Sequence, residues 1–182
     1  MTAGLEHYLL SHPQADRVHI FEMGFGTGLN AWLAFRYANT HPIAVLYTAI
    51  EKYPLTWEEM APLPYSQEFA FSLLHSAPWE QLCILSDHFT LCKQQADLLA
   101  CTPPDNIDVV YFDAFSPNVQ PDLWSAEVFT KLFRCMSPGA VLVTYSSKGS
   151  VKQALRDVGF ELQRLKGSGG KRHMLRAVRP KV

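Results

Sequence analysis

The stretch VHIFEMGFGTGLN (residues 18–30) constrains this chain more than any other. It reads as a short strand over 18–22, an acid at the strand's end, a turn rich in glycine, and an apolar helix from Leu29 to about Tyr37. Glycine is needed where the backbone must take positive φ or pass close to a ligand. A helix N-terminus directly behind such a turn presents N–H groups to an anion. In nucleotide-binding sheet folds the turn sits beside the crevice at the carboxyl ends of the strands. A dinucleotide fingerprint, G-x-G-x-x-G, requires glycine at 29, where this chain has leucine. The glycines stand instead at 24, 26 and 28, with Glu22 two residues before the first. A glycine-rich loop that holds no ligand is the competing reading.

The spacing E-x-G-x-G-x-G resembles the first motif of S-adenosylmethionine-dependent methyltransferases, in which this turn carries the amino-acid end of the cofactor. Length and composition fit one such domain over 1–182, since 48% of the residues are hydrophobic and can fill a core. No apolar run approaches the roughly 20 residues of a membrane span. No basic segment followed by an apolar one opens the chain, so no leader is read and a cytoplasmic location is expected. Cys83, Cys92, Cys101 and Cys135 make no C-x-x-C pair, and the seven histidines are scattered. Reduced, buried thiols are therefore expected rather than disulfides or a metal site.

The net charge of −1 conceals a division. Residues 1–147 carry 6 Lys/Arg against 15 Asp/Glu, whereas residues 148–182 carry 10 against 2. A basic end on an acidic body points to a polyanion met on one side only. A solvated terminal face without a partner would look the same.

Taken in order, Leu5–Leu10 is a helix candidate that stops before the break at Ser11–Pro13. Ala44–Ile50 is an apolar run that fits a strand buried on both faces, and Glu51 ends it. An acid about 20 residues past such a turn is where ribose hydroxyls are usually taken by a carboxylate. Residues 54–79 read as helix punctuated by proline, with Trp57, Phe69, Phe71, Leu73 and Leu74 supplying core. The next strand has two placements. Either Leu82–Leu85 forms it and Asp87 ends it, with a helix over 91–100, or Phe89–Gln95 forms it and Asp97 ends it; periodicity does not choose.

Ile107–Asp113 is a clear buried strand, broken by Ala114–Pro117. Leu123–Met136 reads as an amphipathic helix with Trp124, Val128, Leu132 and Phe133 on one face. A strand over 140–145 follows, then a helix over 150–158 ended by Gly159. Phe160–Leu165 and Met174–Val178 form a closing strand pair around Gly167–Arg172. Alternating strands and helices predict an α/β fold on a mainly parallel sheet.

Four strings sharpen the resemblance: EMGFGTGLN (22–30), EKYPL (51–55), DAFSP followed by QPDLW (113–124), and GGKRHMLR (169–176). In order, from about residue 18 to 179, the chain resembles the methyltransferase domain of the bifunctional tRNA 5-methylaminomethyl-2-thiouridine biosynthesis proteins, in a stand-alone form. The resemblance implies a class I, Rossmann-like methyltransferase with seven strands and an antiparallel C-terminal hairpin. It implies S-adenosylmethionine as methyl donor and tRNA as partner, the acceptor being an aminomethyl group on C5 of a wobble uridine. The family pattern F-T-L, then a small residue and an acid, aligns with Phe89–Leu91 and Ala96–Asp97, which selects Asp97 over Asp87 near the adenine. The cofactor contacts implied are Glu22, Gly24, Phe25, Gly26, Thr27, Gly28, Asn30, Glu51, Lys52, Asp97 and Asp113. Only 17 residues precede the first strand, fewer than the family usually has, and no flavin-dependent oxidase domain is read. The expectation is methylation without the preceding removal of a carboxymethyl group.

Methyl transfer to an amine is an in-line displacement, so alignment supplies much of the acceleration. A primary alkylamine resembles lysine, with a reference pKa of about 10.4, and its protonated form has no lone pair to attack with. A carboxylate in the cleft can take that proton or orient the neutral amine. Asp113, at the end of a central strand, is the expected catalytic acid–base group; capping the next turn is its plainer role. Phe115, Ser116 and Pro117 are expected around a flipped-out uracil, with Phe115 either stacked on it or packed inside. Lys148, Arg164, Lys166, Lys171 and Arg172 are candidate phosphate contacts, of the kind that supplies affinity without reading sequence. Rival expectations are a small-amine N-methyltransferase and a non-catalytic relative that binds cofactor or RNA.

Overall fold

The computed structural model describes residues 2–167 and 173–181. Its strands are β1 (Arg17–Met23), β2 (Ala44–Ile50), β3 (Leu82–Ser86), β4 (Phe89–Gln94), β5 (Ile107–Phe112), β6 (Met136–Thr144), β7 (Glu161–Lys166) and β8 (His173–Val178). They form one sheet in the order β3-β4-β2-β1-β5-β6-β8-β7. Strands β4, β2, β1, β5 and β6 run parallel. The outer pairs β3–β4, β6–β8 and β7–β8 are antiparallel. The chain winds outward from β1 through β2 to β4, then returns to lay β5 on the other side of β1. That reversal is a topological switch point, where a crevice opens beyond the carboxyl ends of the strands.

The sheet has eight described strands where seven were expected. The two segments weighed as alternatives both pair: β3 and β4 form a hairpin across Asp87 and His88, with an irregular register between Ile84 and Ser86. The helix considered over 91–100 does not form, because Cys92–Gln94 stay in register with Thr48–Ile50 of β2. The closing hairpin is antiparallel, as expected.

Helices α1 (His7–Ser11), α2 (Leu29–Ala38), α3 (Trp57–Met60), α4 (Phe69–Ser76), α5 (Ala126–Cys135) and α6 (Gly149–Val158) cover the sheet, with a π-helical turn over Thr2–Glu6 before α1. One core places Trp32 of α2 and Phe71 and Leu74 of α4 with Tyr47, Phe89 and Leu91. The other places Phe129 and Leu132 of α5 and Val151 and Leu155 of α6 with Phe21, Val110 and Phe112. Prolines at 54, 62 and 64 leave only α3 and α4 of the helix read over 54–79. The helix read over 123–136 begins later, because Ser125 caps α5 by accepting from the Val128 N–H at 3.3 Å. Pro121–Trp124 form a separate 3-10 turn.

Among the described residues, no helix is long and apolar enough to cross a membrane. No group of three or more His, Cys, Asp or Glu among them is placed to hold a metal ion.

Candidate active site

The turn after β1 is tied to the end of β2. Gly24 and Phe25 donate their N–H groups to the Ile50 carbonyl at 3.0 and 3.2 Å, and the Gly28 N–H closes the turn on the Phe25 carbonyl at 2.8 Å. Gly24 has φ +90°, and a Cβ there would stand 3.0 Å from the Asp113 carbonyl oxygen. Glycine at this position therefore lets the turn lie against the end of β5. Around Gly26 no atom comes within 4 Å of a Cβ position, so its open side is the wall of a cavity.

That cavity has a volume of about 760 Å³. It is bounded by residues 22–27 with Leu29 and Asn30, by 50–53, by 96–99, by 113–116, by 119–123 and by Tyr145. These segments follow β1, β2, β4, β5 and β6, so strand order alone brings them to one place. All the expected cofactor residues line it except Gly28, which stands behind the turn under His75 and Phe25.

Glu22 is 1% exposed. Its Oε1 accepts from Asn30 Nδ2 at 2.8 Å. Its Oε2 and the Tyr47 hydroxyl, both buried, close no hydrogen bond of ordinary geometry. Burial foremost pushes the Glu22 carboxyl up to about 8, opposed by hydrogen bonding from Asn30 and Tyr47 and aided by the charges of Asp113 and Glu51. In the unfolded chain the same group ionises near 4.5. The stability it contributes is therefore present in full below about 4.5 and is lost as pH rises toward about 8. We expect the melting temperature to fall with pH across that window and Glu22→Gln to flatten the fall. A slope that the substitution leaves unchanged would contradict the buried, protonated state.

Glu51 accepts from the Gly26 N–H at 3.1 Å and from the Tyr53 N–H at 2.9 Å. A carboxylate has about four acceptor positions, so two remain for a diol. Lys52 and Asp97 form an ion pair at 2.8 Å that joins two lips of the cavity. The Lys52 hydrogen bond, then the Leu99 N–H, holds the Asp97 carboxyl below its ordinary range.

Asp113 directly follows β5, and its N–H donates to the Met23 carbonyl at 3.1 Å. The backbone after it is pinned from two sides. The Tyr145 hydroxyl donates to the Ala114 carbonyl at 2.8 Å, and Trp124 Nε1 donates to the Phe115 carbonyl at 2.9 Å. Phe115 is 63% exposed and lines the cavity rather than packing inside. Ser116 lines it too, whereas Pro117 does not. Lys148 stands outside the cavity and hydrogen-bonds to Asn118. Lys166 ends β7 opposite His173 of β8, at the sheet's edge but on the end that carries the cavity. Lys171 and Arg172 lie outside the described residues.

Several lining residues were not singled out from the sequence: Tyr53, Leu98, Leu99, Val119, Gln120, Asp122, Leu123 and Tyr145. The QPDLW string contained the signal for residues 120–123. Tyr145 is recognisable only once β6 is known to lie beside β5.

A family profile described as S-adenosyl-L-methionine-dependent methyltransferase matches residues 82–180. Among curated proteins, the tRNA 5-methylaminomethyl-2-thiouridine biosynthesis bifunctional protein MnmC of Ectopseudomonas mendocina is 35% identical over 178 residues, covering 90% of this chain and 27% of that protein. The protein of the same name from Chromobacterium violaceum is 31% identical over 185 residues, covering 93% of this chain and 28% of that protein. The chain thus spans little more than a quarter of the length of these relatives. In fold it is similar to the crystal structure of MNMC2 from Aquifex aeolicus, with a TM-score of 0.78 and 23% identity over 97% of this chain and 57% of that one. A probable spermidine synthase from Corynebacterium glutamicum has the same fold at a TM-score of 0.60 and 16% identity, covering 100% of this chain and 62% of that one.

Proposed function

Since the chain belongs to the S-adenosyl-L-methionine-dependent methyltransferases, we propose that it methylates the amine of 5-aminomethyl-(2-thio)uridine at the wobble position of tRNA. The observation that carries this reading is the placement of Asp113: it borders the same cavity as the glycine turn, with Phe115 and Ser116 beside it. The relatives' role in 5-methylaminomethyl-2-thiouridine biosynthesis, carried in their name, suggests the acceptor's chemistry.

The cavity suits the cofactor. Glu22 Oε2 is a buried oxygen that closes no hydrogen bond of ordinary geometry, at the turn that would receive the amino-acid end. Gly26 leaves space there, and Glu51 has acceptor positions for a ribose. The bound cofactor supplies an electrophilic methyl group on a sulfonium. The chain's own residues must then deliver a neutral amine in line with it. Asp113 is assigned that work: its carboxylate accepts a hydrogen bond or a proton from the amine nitrogen, keeping the lone pair available. Phe115 offers an exposed ring to an extruded base, and an aromatic face tolerates any pyrimidine modification that leaves the π-face intact. A tRNA substrate would place the protein in the cytoplasm.

The basic C-terminal end is assigned to the tRNA backbone. Lys171→Ala with Arg172→Ala should weaken tRNA binding and reduce the slope of log K against log salt by roughly 1 to 2. An unchanged slope in a mobility-shift titration would remove both residues from the contact surface.

One observation favours a different acceptor. Five acidic residues line the cavity, Glu22 held protonated by burial and Glu51, Asp97, Asp113 and Asp122 beside it, against a single lysine among the described residues, Lys52. Such a lining attracts any small cationic amine. Incubation with labelled S-adenosylmethionine and tRNA from cells lacking the activity, followed by nucleoside analysis, decides. Label in a 5-methylaminomethyluridine supports the tRNA reading. Label confined to a free amine, or none in tRNA, overturns it.

A further inference from the structure

Strand β4 alternates inward and outward, and its inward side chains are Phe89, Leu91 and Lys93. An apolar residue would suit the third position, yet a lysine 1% exposed occupies it. Burying an ammonium is costly unless it is well partnered. Its partners lie around the glycine turn. Lys93 Nζ donates to the His75 carbonyl at the end of α4 at 3.0 Å. It stands 5.5 Å from the ring centre of Phe25 and 4.9 Å from that of Trp79, in cation–π contact with both. Trp79 is held in place by a bridge to the Lys93 backbone, and the Glu80 N–H donates to the Lys93 carbonyl at 2.7 Å.

His75 completes the link. Its Nε2 lies 3.1 Å from the Thr27 carbonyl, so the ring must carry its proton on that nitrogen. Its ring packs on Phe25 at 5.4 Å between centres. A Cβ on Gly28 would meet His75 Nε2 at 2.9 Å and Phe25 Cζ at 3.0 Å. Phe25, Thr27 and Gly28 are thus all located by groups that Lys93 touches or holds.

We propose that Lys93 is a positioning residue for cofactor binding: from behind the turn, its ammonium fixes the Phe25 ring and the end of α4, and through His75 the Thr27 carbonyl. This rests on the glycine turn's holding the cofactor and is independent of the acceptor's identity. Burial lowers Lys93 to about 8, so the ammonium predominates at neutral pH. Burial likewise lowers His75, which keeps that ring neutral.

The test uses the full chain and calorimetry with S-adenosylhomocysteine. Lys93→Met fills the same volume without charge, and Leu91→Ala, two residues earlier on the same face, serves as a control for lost stability. Lys93→Met should weaken binding about tenfold or more, Leu91→Ala by less than about threefold, and Lys93→Arg should recover most of the loss. In turnover assays with Lys93→Met, the KM for S-adenosylmethionine should rise while kcat stays within about twofold. Unchanged affinity in Lys93→Met, or an equal loss in Leu91→Ala, would overturn the proposal. Should Lys93→Met fail to fold, His75→Leu removes the bond to Thr27 and the ring contact with Phe25 while leaving Lys93 in place; it should weaken binding similarly, and unchanged affinity there would overturn the proposal. Failure of methyl transfer to tRNA leaves the calorimetric readouts intact, so the two readings fail separately.

Discussion

Asp113→Ala should lower methyl transfer by about two to four orders of magnitude while leaving S-adenosylhomocysteine affinity within about threefold. The expectation follows from what the residue does in two different parts. Its backbone is structural: the N–H pairs with Met23 and the carbonyl lies against Gly24. The residue is exposed and lines the cavity, and its side chain is the part that alanine removes. Loss of a group that handles the acceptor's proton should therefore appear in kcat, with the cofactor's seat undisturbed. Asp113→Asn refines the result. An amide oxygen can still accept a hydrogen bond but takes no proton, so its activity should recover as pH rises and the amine loses its proton in solution. Cofactor binding weakened tenfold in Asp113→Ala would instead make the residue chiefly a cofactor ligand.

Gly24→Ala should reduce cofactor affinity about a hundredfold and destabilise the fold by about 1 to 3 kcal/mol. With φ at +90° the position is strained for any L side chain, and the new methyl group would press on a carbonyl oxygen that is part of the β5 terminus. Relief requires moving the turn away from Asp113, which separates the two halves of the site. Gly26→Ala is the informative contrast. Its φ of +49° lies in the left-handed region that a non-glycine residue reaches for roughly 1–2 kcal/mol, and its Cβ would meet nothing in the protein. Any loss of affinity in Gly26→Ala should therefore exceed what its stability loss explains, because the methyl group enters the cavity. Equal affinity of Gly24→Ala and the unsubstituted protein, measured by calorimetry at matched folded fraction, would contradict this account of the turn.

The parts of the fold that were legible are those in which local pattern and tertiary environment agree. β1, β2 and β5 are central strands, buried on both faces, and their continuous apolar runs mark them directly. Each ends in an acid or a turn at the same edge, so the sequence pattern already placed Glu22, Glu51 and Asp113 at one end of the sheet, where they line the cavity. Asp97 follows β4 at that edge too, but only the family resemblance chose it over Asp87. The β3–β4 hairpin was not legible, because two short strands separated by Asp87 and His88 look like one strand in two possible positions. The late start of α5 turns on a single capping serine, which the apolar periodicity through Trp124 obscured.

Lys93 marks the limit of pattern reading. A lysine in an alternating strand ordinarily points to solvent, and only the α4 terminus and the Phe25 and Trp79 rings explain why this one points inward. Pro117, Lys148 and Lys166 show the converse case. Pro117 was expected in the pocket beside Phe115 and Ser116 and stands outside it, while Lys148 and Lys166, expected as phosphate contacts, also stand outside the cavity. They stand away from the lining that Asp113 borders.

The central claim is that the cavity between the glycine turn and the end of β5 seats the methyl donor with its sulfur directed at Asp113. A crystal structure of the protein with S-adenosylhomocysteine tests it most directly. The account predicts the homocysteine end against residues 24–28, the ribose hydroxyls on Glu51, the adenine near Asp97, and the sulfur on the side of the cavity that Asp113 borders. Density for the ligand elsewhere, or an Asp113 side chain turned out of the cavity in its presence, would contradict it.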